Sequence, residues 1–189
     1  PRSTLFPYTT LFRSERWLTA ARLAHDTFAG VVRDQGTSYI EHPLAVAVIV
    51  RDEAGLADPE DLIIALLHDA FEVKRDAEPG IRAGLGNAVA DALRQLTPEH
   101  RLAGRRRQDG DDDAYHRKIA GLGDRLLVIK LADRLHNLRD LPASTNPDRS
   151  ARFLNHLDTV YLPLAHQRRH PGVAALTTAL EQARTQITP

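Results

Sequence analysis

Residues 61–71 read DLIIALLHDAF, a run that is apolar on nearly every side. Such a run is either a buried parallel strand or a buried helix, and the two lead to different folds. Just ahead of it stands Asp58-Pro59-Glu60, an acidic cap followed by a first-turn proline and a second acid, which is a helix start. No Gly-rich phosphate loop follows the run, as a nucleotide-binding strand would require. The length and the proline-capped start therefore favour a helix, and one that is apolar all round must be buried.

Working outward, helix follows helix. Trp17, Leu18, Ala21, Leu23, Ala24 and Phe28 recur at helical spacing and end near Gly30. A turn through Asp34, Gln35 and Gly36 comes next, and Pro43 opens LAVAVIVRDEAG with Gly55 as its stop. An amphipathic helix is predicted over 86–96, a polar loop over 100–113 and a short helix over 113–122. Asp124 then opens the long segment RLLVIKLADRLHNLRDL, stopped by Pro142, and further helices are predicted over 148–167 and 172–187. With neither an internal repeat nor a period-2 strand, the expected fold is a single all-α domain.

The 189 residues suit one domain with a proper core. The formal charge of zero gives no whole-chain reason to expect capture by nucleic acid or a membrane. Arginine outnumbers lysine 22 to 3, for which genome base composition is the blander explanation. Cysteine is absent, which excludes disulfides, a thiolate nucleophile and a Cys-based zinc site. No apolar run approaches the roughly 18–20 residues of a membrane span, and no export signal is visible, so a cytoplasmic location is expected. The chain contains no methionine, and TLFPYTTLFRS over 4–14 resembles a translated sequencing adapter; residues 1–14 are read as non-native, with 15–189 as the domain. Arg105-Arg106-Arg107 and Asp111-Asp112-Asp113 lie close enough to neutralise one another, which undercuts a nucleic-acid-binding role.

Polar residues stand where the pattern calls for apolar ones. His68 and Asp69 end the buried run, and burying such groups without partners costs several kcal/mol, roughly. Asp133 lies among apolar neighbours in LLVIKLADRLHNL, with Asn137 four residues on and on the same face. Asp133 could merely pair with Arg134 or Arg139, and His42, just before Pro43, could be a turn residue. Together, two imidazoles and two carboxylates form a mixed ligand set suited to Mn²⁺, Fe²⁺, Co²⁺ or Zn²⁺ with positions left for water and phosphate. Such an ion acidifies bound water and neutralises charge on a phosphoryl oxygen. His136, about 60° or more around the helix from Asp133, is expected to point away from that face. His25, His116 and His156 are read as surface or packing residues.

In order and spacing, YIEHPLAVAVIV, DLIIALLHDAFE and VIKLADRLHNLRDL resemble the HD hydrolase domain of RelA/SpoT homologues and the stand-alone small alarmone hydrolases, over about residues 18–142. The resemblance implies a single HD-domain helical bundle that binds Mn²⁺ and removes the 3′-pyrophosphate of ppGpp or pppGpp, degrading and not making it. It implies His42, His68, Asp69 and Asp133 as metal ligands and Glu72 as the acid that activates or orients water. Asn137 would line the nucleotide pocket, and Arg33 would begin the basic turn that packs on the guanine base. A small-molecule nucleotide is thus the expected partner.

The chain departs from the family's pattern at three places. Val73 follows Glu72 where the family has Asp, and valine can neither accept a proton nor hold a water. The family's Arg-Lys-Ser turn is Arg33-Asp34-Gln35, and Phe28 stands where the family tends to have His. Two alternatives stay open: the same metal chemistry on another nucleotide or phosphoester, and a non-catalytic binding module.

Overall fold

A computed structural model describes residues 15–187; the segment read as non-native, 1–14, lies outside the described residues. The fold is all-α, as expected. Its main helices are α1 (Glu15–Phe28), α2 (Glu41–Asp52), α3 (Pro59–Leu67), α4 (Ala70–Val73), α5 (Glu78–Leu85) and α6 (Asn87–Leu96). They continue with α7 (Glu99–Leu102), α8 (Asp111–Ala120), α9 (Asp124–Asp140), α10 (Pro147–His156), α11 (Leu162–His166) and α12 (Pro171–Thr185). Among the described residues, extended pairing is limited to one isolated bridge, Val32 with Ser38, in the turn between α1 and α2. That turn reverses at Gly36, whose φ of 83° is open to a residue without a Cβ.

The long helix α9 is the hub, packed against α12, α2, α3 and α6. Leu127, Val128, Ile129, Leu131, Ala132, Leu135 and Leu138 are all buried, so it presents apolar surface in several directions at once. Helix α3 lies against α2, α1 and α6 and is buried from Asp61 to Leu67. Its start is as predicted: the Asp58 side chain accepts from the Glu60 amide, with Pro59 in the first turn. Arg125 donates to the buried Asp61 carboxylate and ties this start to that of α9.

The predicted continuous helix through Phe71 is interrupted. Helix α3 ends at Leu67, Asp69 adopts φ −95° and ψ 3°, and α4 begins at Ala70. His68 makes the break locally, because its Nδ1 takes the carbonyl of Ala65 at 2.8 Å. Helices α5 and α7 form where no helix was predicted. Helix α8 starts at Asp111, two residues early, behind a left-handed Gly110 and with the Asp111 carboxylate accepting from the Gln108 amide. The predicted helix 148–167 carries a π-helical turn over Leu157–Tyr161, a feature that often marks functional sites.

Candidate metal centre

Four elements bring the suspected side chains together. His42 comes from the first turn of α2, His68 and Asp69 from the break between α3 and α4, and Asp133 from the middle of α9. All four are buried. Nε2 of His42 lies 3.2 Å from Nε2 of His68, 3.4 Å from Asp69 Oδ2 and 3.3 Å from Asp133 Oδ1. Nε2 of His68 lies 3.3 Å from Asp69 Oδ1 and 3.8 Å from Asp133 Oδ1. The ligand atoms of His42, His68 and Asp69 all fall within 4.8 Å of one another.

The chemistry of this cluster fits a cation. A carbonyl cannot donate, so the Nδ1 of His68 carries the proton toward Ala65, and neutral His68 aims a bare Nε2 lone pair at the cluster. Carboxylate oxygens face the same point. Burial disfavours a charged His68, yet Asp69 and Asp133 outweigh it and push its pKa up to about 10. Asp69 and Asp133 are themselves held well below the usual carboxylate range against the effect of burial, Asp69 by the two histidines and Asp133 chiefly by Arg134 and Lys130. Positive charge is favoured at the spot where four ligand-type atoms converge, and a divalent ion meets that demand.

Asp133 does both things considered for it. Its Oδ1 faces the histidines, while Oδ2 lies 2.8 Å from Lys130 Nζ and 2.8 Å from Arg134 Nη2. The other suggested partner, Arg139, is engaged with Glu53. Tyr39 donates its hydroxyl to Asp69 Oδ2 at 2.8 Å and stacks on Phe28, ring centroids 5.4 Å apart. These supports were not singled out in the sequence, except Arg134. Lys130 and Arg134 were detectable as cations three before and one after a buried acid; Tyr39 carried no such signal.

His136 corrects an expectation. It does not turn away: its Nδ1 sits 3.0 Å from Nδ1 of His42, because a residue at i+3 still shares much of a helix face. It stands behind His42 and outside the group of ligand atoms. Burial, then His42, pushes its pKa down to about 4.

A cleft of about 600 Å³ opens over the cluster, lined by His42, Asp69 and Asp133 together with Glu72, Arg33 and Asn137. Burial and the nearby charge of Asp69 push the Glu72 carboxyl up to about 7. Arg33 donates to Asn137 Oδ1 at 2.9 Å and pairs with Asp140, and Asn137 in turn donates to Asp133. The departures sit here too: Val73 lines the cleft beside Glu72, and Asp34 pairs with Arg149 across it. His116 and His156, read as surface or packing residues, pack edge to face on its wall with centroids 4.6 Å apart. Arg105 and Arg107 pair with Asp111 and Asp112, the mutual neutralisation expected of those two runs.

Fold and cluster define an all-α domain built around a buried imidazole–carboxylate cluster whose donor set fits a divalent cation. The chain belongs to the HD domain family, which its sequence matches over residues 20–169. It is 32% identical over 170 residues to the bifunctional (p)ppGpp synthase/hydrolase SpoT of Escherichia coli K12, covering 89% of this chain and 23% of that protein. It is 34% identical over 147 residues to the guanosine-3′,5′-bis(diphosphate) 3′-pyrophosphohydrolase of Haemophilus influenzae, covering 77% of this chain and 21% of that one. The chain thus spans less than a quarter of these relatives' length. Among solved structures it is similar to a metazoan ortholog of SpoT, described as hydrolysing ppGpp, with a TM-score of 0.75 at 23% identity over 92% of this chain and 96% of that one. That likeness establishes the fold. Among the described residues no helix is long and apolar enough to cross a membrane.

Proposed function

We propose that this chain is a Mn²⁺-dependent phosphohydrolase that removes the 3′-pyrophosphate of ppGpp or pppGpp, leaving GDP or GTP. The observation that carries the reading is the convergence of His42, His68 and Asp69, with Asp133 Oδ1 against both histidines, in a cleft also lined by Glu72, Arg33 and Asn137. The activities named for the relatives support the choice of substrate. A divalent cation supplies charge neutralisation at phosphoryl oxygens and a lower pKa for water. In this reading the four ligands hold it, and Arg33 and Asn137 hold the nucleotide. Glu72, with its pKa raised toward neutrality, takes a proton from the attacking water. The water oxygen bonds to phosphorus, the bond from phosphorus to the 3′ oxygen breaks, and that oxygen takes up a proton as pyrophosphate leaves. Within the same reading the protein is cytoplasmic, with a nucleotide and neither nucleic acid nor membrane as its partner.

Val73 favours a second reading, a module that binds metal and nucleotide without turnover, because the side chain beside Glu72 has no oxygen to hold water. Asp34, paired to Arg149 on the cleft wall, favours another phosphoester as substrate. Turnover of ppGpp with Mn²⁺, alongside a panel of nucleotides and an Asp69→Ala variant, separates the three. Pyrophosphate released from ppGpp by the wild type and not by the variant is the expected result. Activity on a different phosphoester keeps the chemistry and discards the substrate. Metal bound without turnover of anything leaves the binding module.

A further inference from the structure

The ligand-type side chains are backed by partners of different kinds. His68 donates to a carbonyl, Asp69 accepts from a phenol, and Asp133 accepts from two cations. Each of these partners has one role. His42 is different: its Nδ1 meets the Nδ1 of His136 at 3.0 Å, with ring centroids 4.9 Å apart at 64°. Either nitrogen can carry the single proton between them. With the proton on His42, its Nε2 is a free lone pair aimed at the cluster. With it on His136, neutral His42 must be protonated at Nε2. There the proton points at Asp69 or Asp133, 3.4 and 3.3 Å away, and the nitrogen cannot bind a cation. One proton position therefore decides whether His42 is a ligand.

His136 has a second neighbour at that same nitrogen. Its Nδ1 lies 3.3 Å from Asp140 Oδ2, one turn along α9, and Asp140 is paired with Arg33 on the cleft wall. The Arg33 side chain is 12% exposed, and its charge offsets that of the carboxylate, which would otherwise favour a proton on His136 Nδ1.

We propose that His136 is a positioning residue that accepts the Nδ1 proton of His42 and so sets His42 in its ligating tautomer. The role rests on the metal reading above and deepens it. A packing residue would be replaceable by any ring of similar size; a tautomer-setting residue is replaceable by another hydrogen-bond acceptor.

The test uses the full chain, stripped of metal and titrated with Mn²⁺ while free Mn²⁺ is followed by electron paramagnetic resonance. Wild type, H136F and H136N are compared. H136F should bind about 10–100-fold more weakly, the usual loss when a ligand's outer partner is removed. H136N, whose amide oxygen accepts, should return to within about threefold of wild type. Equal affinity of H136F and wild type overturns the role and leaves the metal site standing, as does H136N binding as weakly as H136F. A wild type that takes up no Mn²⁺ overturns the metal reading and this role with it. Imidazole ¹⁵N spectra of the Zn²⁺-loaded wild type need no variant to fold: His42 should be protonated at Nδ1 and His136 at Nε2, and the reverse pattern overturns the proposal.

Discussion

Glu72 and Asp133 show how two acids of one cleft differ in what they can tolerate. In the proposed reaction Glu72 works as a base when ionised, and burial with the charge of Asp69 raises its pKa to about 7. The rate should therefore rise with pH through that region, and since a bound cation draws the pKa down, the limb should lie at or below pH 7. Glu72→Gln should lower kcat by about 100-fold or more, keep Mn²⁺ affinity and lose the limb; a kcat–pH profile unchanged by the substitution would assign the proton to another group. Asp133→Ala is a different event. It strands Lys130 and Arg134, buried beside it, so urea denaturation in chelator should show a loss of about 3–5 kcal/mol. Asp69 is paired with histidines and Tyr39, and not with a lysine or arginine, which makes Asp69→Ala the cleaner probe of the proposed metal function.

Among the elements, the candidate metal centre depends on how α3 begins and where it stops. The Asp58 cap fixes the start of the helix that delivers His68 and Asp69. Asp58→Ala should cost about 1 kcal/mol in urea denaturation, with Mn²⁺ affinity reduced less than by any ligand substitution. A loss of affinity matching that of Asp69→Ala would mean that the cap positions the site directly. The stop was not readable in advance. Helical periodicity continues through DLIIALLHDAF, and the break at His68-Asp69 arises when an imidazole claims the Ala65 carbonyl in a site assembled by distant elements. Short helices such as α5 and α7 escaped for a related reason: tertiary packing, more than local propensity, holds them.

Over the whole molecule, the proposed metal site links metal to folding, because its four residues come from three separate regions of the chain. Mn²⁺ at a hundred times its Kd should add about 2.7 kcal/mol to stability and raise Tm by about 5–10 °C. The dependence on pH has a definite sign. His68 has its pKa raised to about 10, so at neutral pH it holds a proton that the cation must displace. Affinity should therefore climb with pH, by about 100-fold from pH 6 to pH 8 for one displaced proton. Isothermal titrations at the two values check it, and a flat profile would mean that His68 is already neutral.

By itself the sequence determined the all-α class, through the capped apolar run at 61–67 and the long segment from Asp124, and it marked His42, His68, Asp69 and Asp133 as residues out of place. Their assembly was decided only by the tertiary structure. Periodicity reports which face of a helix is buried; it carries no information on which buried faces meet. That is why Asp133 could be suspected while the division of its two oxygens could not, and why the sequence carries no sign of the His136 ring meeting His42 where α2 and α9 pack.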